Sequence, residues 1–211
     1  WILERQNDSW NDDPLGLAGG WRDAWSAAFI SWVMCEGGLG NSEKFNRAIA
    51  HHTYIDQAIR ARDGNDPLAA FVAYDMGEAP IVPGDLLCNG LRPRYQELDE
   101  RRQQMGEGAR THCDIVVKVD EKEQRILAIG GNVRGSVRMK LLPATHAKGE
   151  HLSPAYDGRR ATFAHLKLNT DPIEADAVDH SPTMQAASCN RPLNSVPLLA
   201  ANLAVASARQ C

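Results

Sequence analysis

Apolar residues change their spacing along the chain, and each change predicts an element. From Asp23 to Cys35 they crowd nearly all sides of a 3.6-residue period, which predicts a helix central to the core rather than a surface one. Asp23 stands as its N-cap and Gly37-Gly38 as its stop. Phe45, Ala48, Ile49, His52, Ile55 and Ile59 recur at helical spacing, predicting a second helix from Ser42 to Arg62 capped by Ser42. A shorter helical patch follows at Pro67–Tyr74.

The pattern then shortens to strands. Pro83-Gly84-Asp85 reads as a turn into a buried strand over Leu86–Cys88, and His112–Val119 and Arg125–Ile129 read as a hairpin about Asp120–Glu123. Ser136–Leu141 supplies another strand. Between them, Arg- and Glu-rich residues 90–110 read as an exposed excursion. Helices first and an antiparallel meander after them predict an α+β fold. Residues 1–20, ending in Gly19-Gly20, form a lead-in segment; 21–142 form the domain. Residues 143–211, with five prolines between 143 and 195 and little periodicity outside Ala161–Leu168, form an irregular extension ending in a short helix or tail over 196–209.

Composition narrows the function. In 211 residues, 23 Lys plus Arg face 27 Asp plus Glu, with no long basic run, which argues against a nucleic-acid partner. Hydrophobic residues at 43% and charged residues at 24% exclude disorder as the default state. The apolar stretch Val196–Ala206 is interrupted by Pro197 and Asn202 and falls far short of a membrane span. Five cysteines, Cys35, Cys88, Cys113, Cys189 and Cys211, form no C-x-x-C, so a thiolate zinc site has little support. Cys189–Cys211 is the nearest candidate disulfide pair and would suit an exported protein.

Three positions carry candidate chemistry. Ser26 falls in the first turn of the first helix, beside Trp25, Ala27 and Ala28. Unpaired N–H groups and the helix dipole there favour a developing anion. His112 opens a strand, where it can serve as general base, and shares a strand face with Asp114. Asn132 follows the partner strand at a distance that brings it near His112. Asn132 and Asp114 are rival orienters of the imidazole.

Trp25-Ser26-Ala27-Ala28-Phe29-Ile30-Ser31-Trp32 resembles the W-C-A-A-F-V-S-W segment of CHAP amidohydrolase/peptidase domains, in the papain-like superfamily that includes NlpC-type cell-wall peptidases. Pro83–Leu87 resembles its P-G-D-L-V strand, and His112–Val117 its G-H-V-G-I-V strand. The set also resembles a bacterial domain family of unassigned function that keeps Ser in the nucleophile place. The resemblance implies a papain-like domain with N-terminal helices packed on a small antiparallel sheet. It also implies a hydrolase of amide or peptide bonds with bacterial peptidoglycan or muropeptides as substrate.

Ser26 would be nucleophile, His112 base and then acid, and Asn132 orienter, with Trp25 and Ala27 bordering the substrate. No metal or organic cofactor is required. The protein would act in the periplasm or after secretion, as a wall-remodelling enzyme or as a toxin with an immunity partner. The departure is Ser for Cys: a hydroxyl must lose its proton to the base during attack, whereas a thiol is partly ionised already.

The alternative is a non-catalytic envelope-binding module on the same fold. A thiol enzyme using Cys35 or Cys113 is a third reading. His52 and Asp56, one helical turn apart, could hold a metal but more simply pack a surface. Arg92, Arg94, Arg101 and Arg102 read as a solvated basic stretch.

Overall fold

In the computed structural model, residues 24–156 and 161–187 are described. Helix α1 spans Ser26–Glu36 and α2 His52–Arg62. Strand β1 (Phe71–Tyr74) and β2 (Leu86–Arg92) come next, then the short helix α3 (Leu98–Arg102). Strands β3 (Arg110–Asp120), β4 (Arg125–Val133), β5 (Ser136–Thr145), β6 (Ser153–Pro154) and β7 (Thr162–Leu168) follow, and α4 (Pro182–Ala187) closes the described chain.

All strands join one antiparallel sheet in the order β1-β7-β2-β3-β4-β5-β6, curled into a half-barrel. This corrects the expected papain-like arrangement of helices packed on a small sheet: seven strands dominate, and the described helices are few and short.

Three local differences account for the correction. Residues 42–50 are turns rather than the first half of a helix, because side chains from elsewhere satisfy their backbone. Ser31 Oγ accepts the Ala48 N–H and donates to the Ala48 carbonyl. The Gln57 carboxamide accepts from Asn46 N–H and donates to the carbonyls of Ser42 and Glu43.

Phe71–Tyr74, expected to be helical, is a strand because β7 pairs with it from Phe71↔Leu168 to Tyr74↔His165. And β7, in the stretch expected to be irregular, sits between β1 and β2. Long-range pairing overrides a weak local pattern at both places.

Helix α1 packs on β3 and β4, and α2 on β1. One core joins these helices to Leu86, Phe163 and Leu166; a second gathers Ile81, Leu87, Val116 and Ile126. The 90–110 excursion is anchored, not free. Arg101, fully buried, donates from Nε and Nη2 to both oxygens of Asp56 at 2.7 Å, and Asp56 also accepts the Gly106 N–H. That bidentate pair satisfies a charge that would otherwise be costly to bury. Arg101 and Asp56 therefore leave the basic surface and the metal pair in which the sequence placed them.

Candidate active site

Ser26 is the first residue of α1, after Trp25 at the N-cap. The first helical bond runs from Phe29 N–H to the Trp25 carbonyl, so the N–H groups of Ser26, Ala27 and Ala28 have no acceptor within the helix. The expected cap, Asp23, lies outside the described residues.

The base expected for Ser26 was His112. Instead, Ser26 Oγ lies 2.6 Å from Nε2 of His51. Ending the 42–50 segment in turns places His51 at the N-cap of α2. Tyr54, three residues on and one turn along the same face, sets its hydroxyl against the other ring nitrogen, Nδ1. Tyr54 is itself fixed in the core, its ring 4.8 Å from that of Phe45.

Serine, imidazole and phenol thus form one buried chain, at 7%, 4% and 1% exposure. Burial, reinforced by neighbouring His112, holds the His51 imidazole well below the ordinary histidine value; burial and then Asp114 push the Tyr54 phenol well above its own. His51 is therefore a neutral acceptor at neutral pH and Tyr54 a neutral phenol. With Nδ1–H donated to Tyr54, the Nε2 lone pair faces the Ser26 proton.

His112 stands beside this chain, its ring centroid 5.3 Å from that of His51 and the planes at 61°. Its Nε2 is 2.9 Å from Asp114 Oδ1, and Lys140 Nζ is 2.8 Å from Asp114 Oδ2 and 3.3 Å from the same Nε2. Burial raises the Asp114 carboxyl, but the hydrogen bond to His112 and the charges of His112 and Lys140 outweigh it and hold the group below the carboxylate range. Gly130 makes room for this carboxylate, since a Cβ there would lie 2.0 Å from Asp114 Oδ1; a Cβ on Gly131 would lie 2.6 Å from Phe29 Cβ of α1.

Of the two expected orienters, Asp114 is the one hydrogen-bonded to His112. Asn132 makes no side-chain hydrogen bond among the described residues. It occupies the left-handed region at φ 54°, where the register of β4 and β5 shifts between Gly130 and Val133. Asparagine tolerates that backbone conformation better than most residues.

Ala27 is buried in the core, backbone included, and does not border an open surface, and Trp25 is half-buried. The thiol reading loses its candidates: Cys113 is bonded to Cys88 across directly paired positions of β2 and β3, and Cys35 is oxidised as well. The suggested Cys189–Cys211 pair lies outside the described residues. His52 turns away from Asp56, its Nδ1 3.1 Å from the Ala109 carbonyl. Among the described residues, Glu174, Asp176 and His180 bring ligand atoms within 4.8 Å of one another, all three exposed and joined by no buried donor.

His51, Tyr54 and Lys140 were not among the residues singled out for catalysis. The available signal was His51 and Tyr54 at i, i+3, obscured because both were placed in the middle of a long helix.

The chain belongs to a bacterial family, DUF2272, described as "uncharacterized protein conserved in bacteria", which it matches over residues 5–168. No curated protein and no solved structure matches it.

Proposed function

We propose that this member of DUF2272 is a serine hydrolase of amide or peptide bonds. Ser26 is the nucleophile, His51 its base and Tyr54 the group that orients His51. The observation that carries the reading is the 2.6 Å approach of Ser26 Oγ to His51 Nε2 at the start of a helix whose leading N–H groups have no acceptor within the helix.

As Oγ bonds to the carbonyl carbon, its proton passes to His51 Nε2. The tetrahedral oxyanion meets the N–H groups at the head of α1, which are worth far more to it than to the ground-state carbonyl. Tyr54 holds the ring in place without supplying a charge, and its hydroxyl oxygen can accept Nδ1–H in the reactive tautomer. A neutral orienter makes His51 a weaker base than a carboxylate would, and Asp114, which raises its affinity for a proton, compensates from a distance.

For the substrate we take bacterial peptidoglycan, on the resemblance of Trp25–Trp32 to wall-hydrolase helices and on the bacterial family. The Cys88–Cys113 disulfide supports action in the periplasm or after secretion, where such bonds persist. If the protein is delivered as a toxin, an immunity partner is part of the reading. No helix among the described residues is long and apolar enough to cross a membrane.

Digestion of purified peptidoglycan by wild type, Ser26→Ala and Ser26→Cys, with products weighed, tests the proposal. Wild type should release fragments, and Ser26→Ala should lose on the order of 10³-fold or more of that rate. Equal release by wild type and Ser26→Ala would refute it. The burial of Ser26 favours the second reading, a module that binds the envelope without cleaving it. Binding of peptidoglycan by wild type and Ser26→Ala alike, with no release by either, would establish that one.

A further inference from the structure

We propose that His112, backed by Asp114, is a second acid–base group of this site: it protonates the departing amine and then takes the proton of the hydrolytic water, while His51 serves Ser26 alone. The assignment rests on the serine-hydrolase reading above.

The two imidazoles are committed differently. Both ring nitrogens of His51 are engaged, Nε2 with Ser26 and Nδ1 with Tyr54, in a ring that is 4% exposed. His112 engages only Nε2, which lies 2.9 Å from Asp114 Oδ1 and 3.3 Å from Lys140 Nζ, and its Nδ1 has no hydrogen-bond partner among the described residues. The orienters differ as well. A phenol can hold a ring in place, but a carboxylate, an acceptor only, also fixes the tautomer and stabilises an imidazolium, which suits a group that both gives and takes a proton.

The carboxylate has a built seat. Asp114 is almost wholly buried, Lys140 holds its second oxygen, and the missing side chain of Gly130 leaves the space that Oδ1 fills. A ring 5.3 Å from His51 is close enough for both imidazoles to address opposite ends of one scissile bond.

The protons balance. The cycle starts from neutral His51 and from the form of His112 that carries a proton on each ring nitrogen. In acylation the Oγ–C bond forms as the Ser26 proton moves to His51 Nε2, and the C–N bond breaks as the Nδ1 proton of His112 moves to the leaving nitrogen. In deacylation water bonds to the acyl carbon as its proton moves to His112 Nδ1. The C–Oγ bond breaks as His51 returns its proton to Oγ. Both histidines end as they began.

Two substrates with one acyl group separate the duties: a p-nitrophenyl ester, whose leaving group needs no proton, and the corresponding amide. With His112→Gln, the ester should still give a stoichiometric burst and an acyl adduct on Ser26, detected by intact mass. Its steady-state turnover, and turnover of the amide, should fall about 10²-fold or more. The burst itself reports that the variant is folded. Asp114→Asn should show the same split more mildly, and His51→Gln should lose the burst.

Amide turnover unchanged in His112→Gln, or a burst lost together with turnover in both the His112 and Asp114 variants, would overturn the division of labour. No acyl adduct on wild-type Ser26 would overturn the hydrolase reading, and this assignment with it.

Discussion

Two histidine–aspartate pairs in this molecule have nearly the same geometry and opposite surroundings. His165 Nε2 lies 2.7 Å from Asp85 Oδ2, and His112 Nε2 lies 2.9 Å from Asp114 Oδ1. The first pair is sealed, both side chains at 0% exposure. Asp85 spends its remaining hydrogen-bonding capacity on the backbone, accepting the N–H groups of Val82 and Leu168, while Lys167 Nζ stands off at 3.7 Å from Oδ2. It clamps the turn before β2 to the end of β7. Asp114 instead accepts from a half-buried lysine at 2.8 Å, and the ring of its histidine lies 5.3 Å from that of His51. A His–Asp pair takes its role from its position. Clamped to backbone in a sealed core, with Nδ1 of His165 enclosed and unpartnered, it is a structural tie; beside Ser26 and His51 it is the acid–base pair we propose.

The contrast can be broken from either side. Asp85→Ala should have the largest effect on stability: it strips the acceptor from two backbone N–H groups and a buried imidazole, at a cost of about 3 kcal/mol. Asp114→Ala, whose lysine can turn to water, should cost about 1 kcal/mol and show itself in turnover instead. Chemical denaturation of the two variants checks this, and equal stability losses would erase the distinction.

Removing the Cys88–Cys113 bond with paired serines should cost about 2–4 kcal/mol, because it cross-links β2 to the strand that carries His112 and Asp114. Next come the adjacent glycines. Gly131→Ala drives a methyl into Phe29 and should destabilise by about 1–3 kcal/mol as α1 shifts. Gly130→Ala displaces the Asp114 carboxylate, so its activity should track that of Asp114→Asn. Melting curves and ester kinetics on the pair would separate packing from chemistry.

The smallest effect is that of pH. The folded His51 value is lowered, so the unfolded chain takes up a proton that the folded one refuses. Stability from this group is complete above the ordinary histidine value near 6.5 and declines as pH falls below it, by up to about 1.4 kcal/mol per unit. Asp114, also lowered, adds a loss that begins only at more acidic pH, as it falls through the carboxylate range. His51→Gln should flatten the first slope and leave the second; denaturation midpoints from pH 7 down to about 2 measure both.

What could be read from sequence was local. The body of α1 and its Gly37-Gly38 stop, the turn before β2, and the β3–β4 hairpin all follow from periodicity and turn chemistry over a few residues, while α1 starts at Ser26 after a Trp25 cap and not after Asp23. The hairpin placed Ile115 opposite Ile129 as the strand spacing implied. What could not be read depends on residues far apart in the chain. β7 finds its place only between β1 and β2, more than 70 residues upstream of it.

His51 reaches Ser26 only because Ser31 and Gln57 hold residues 42–50 out of a helix. A continuous helix from Ser42 would have buried that histidine in its middle with no reason to single it out. Asp85, attractive within a motif, became a structural clamp once β7 supplied His165, and Asn132 served the backbone.

The central claim, that Ser26 is a nucleophile activated by His51, is tested most directly by covalent capture. Wild type, Ser26→Ala, His51→Gln and Tyr54→Phe are exposed to a fluorophosphonate and followed by intact mass. The account predicts a single adduct on Ser26 in wild type and none in Ser26→Ala. Labelling should be slower by about 10²-fold or more in His51→Gln and only several-fold slower in Tyr54→Phe, where the ring is freed but the base survives. Equal labelling of wild type and His51→Gln, or no adduct on Ser26 in folded wild type, would contradict it.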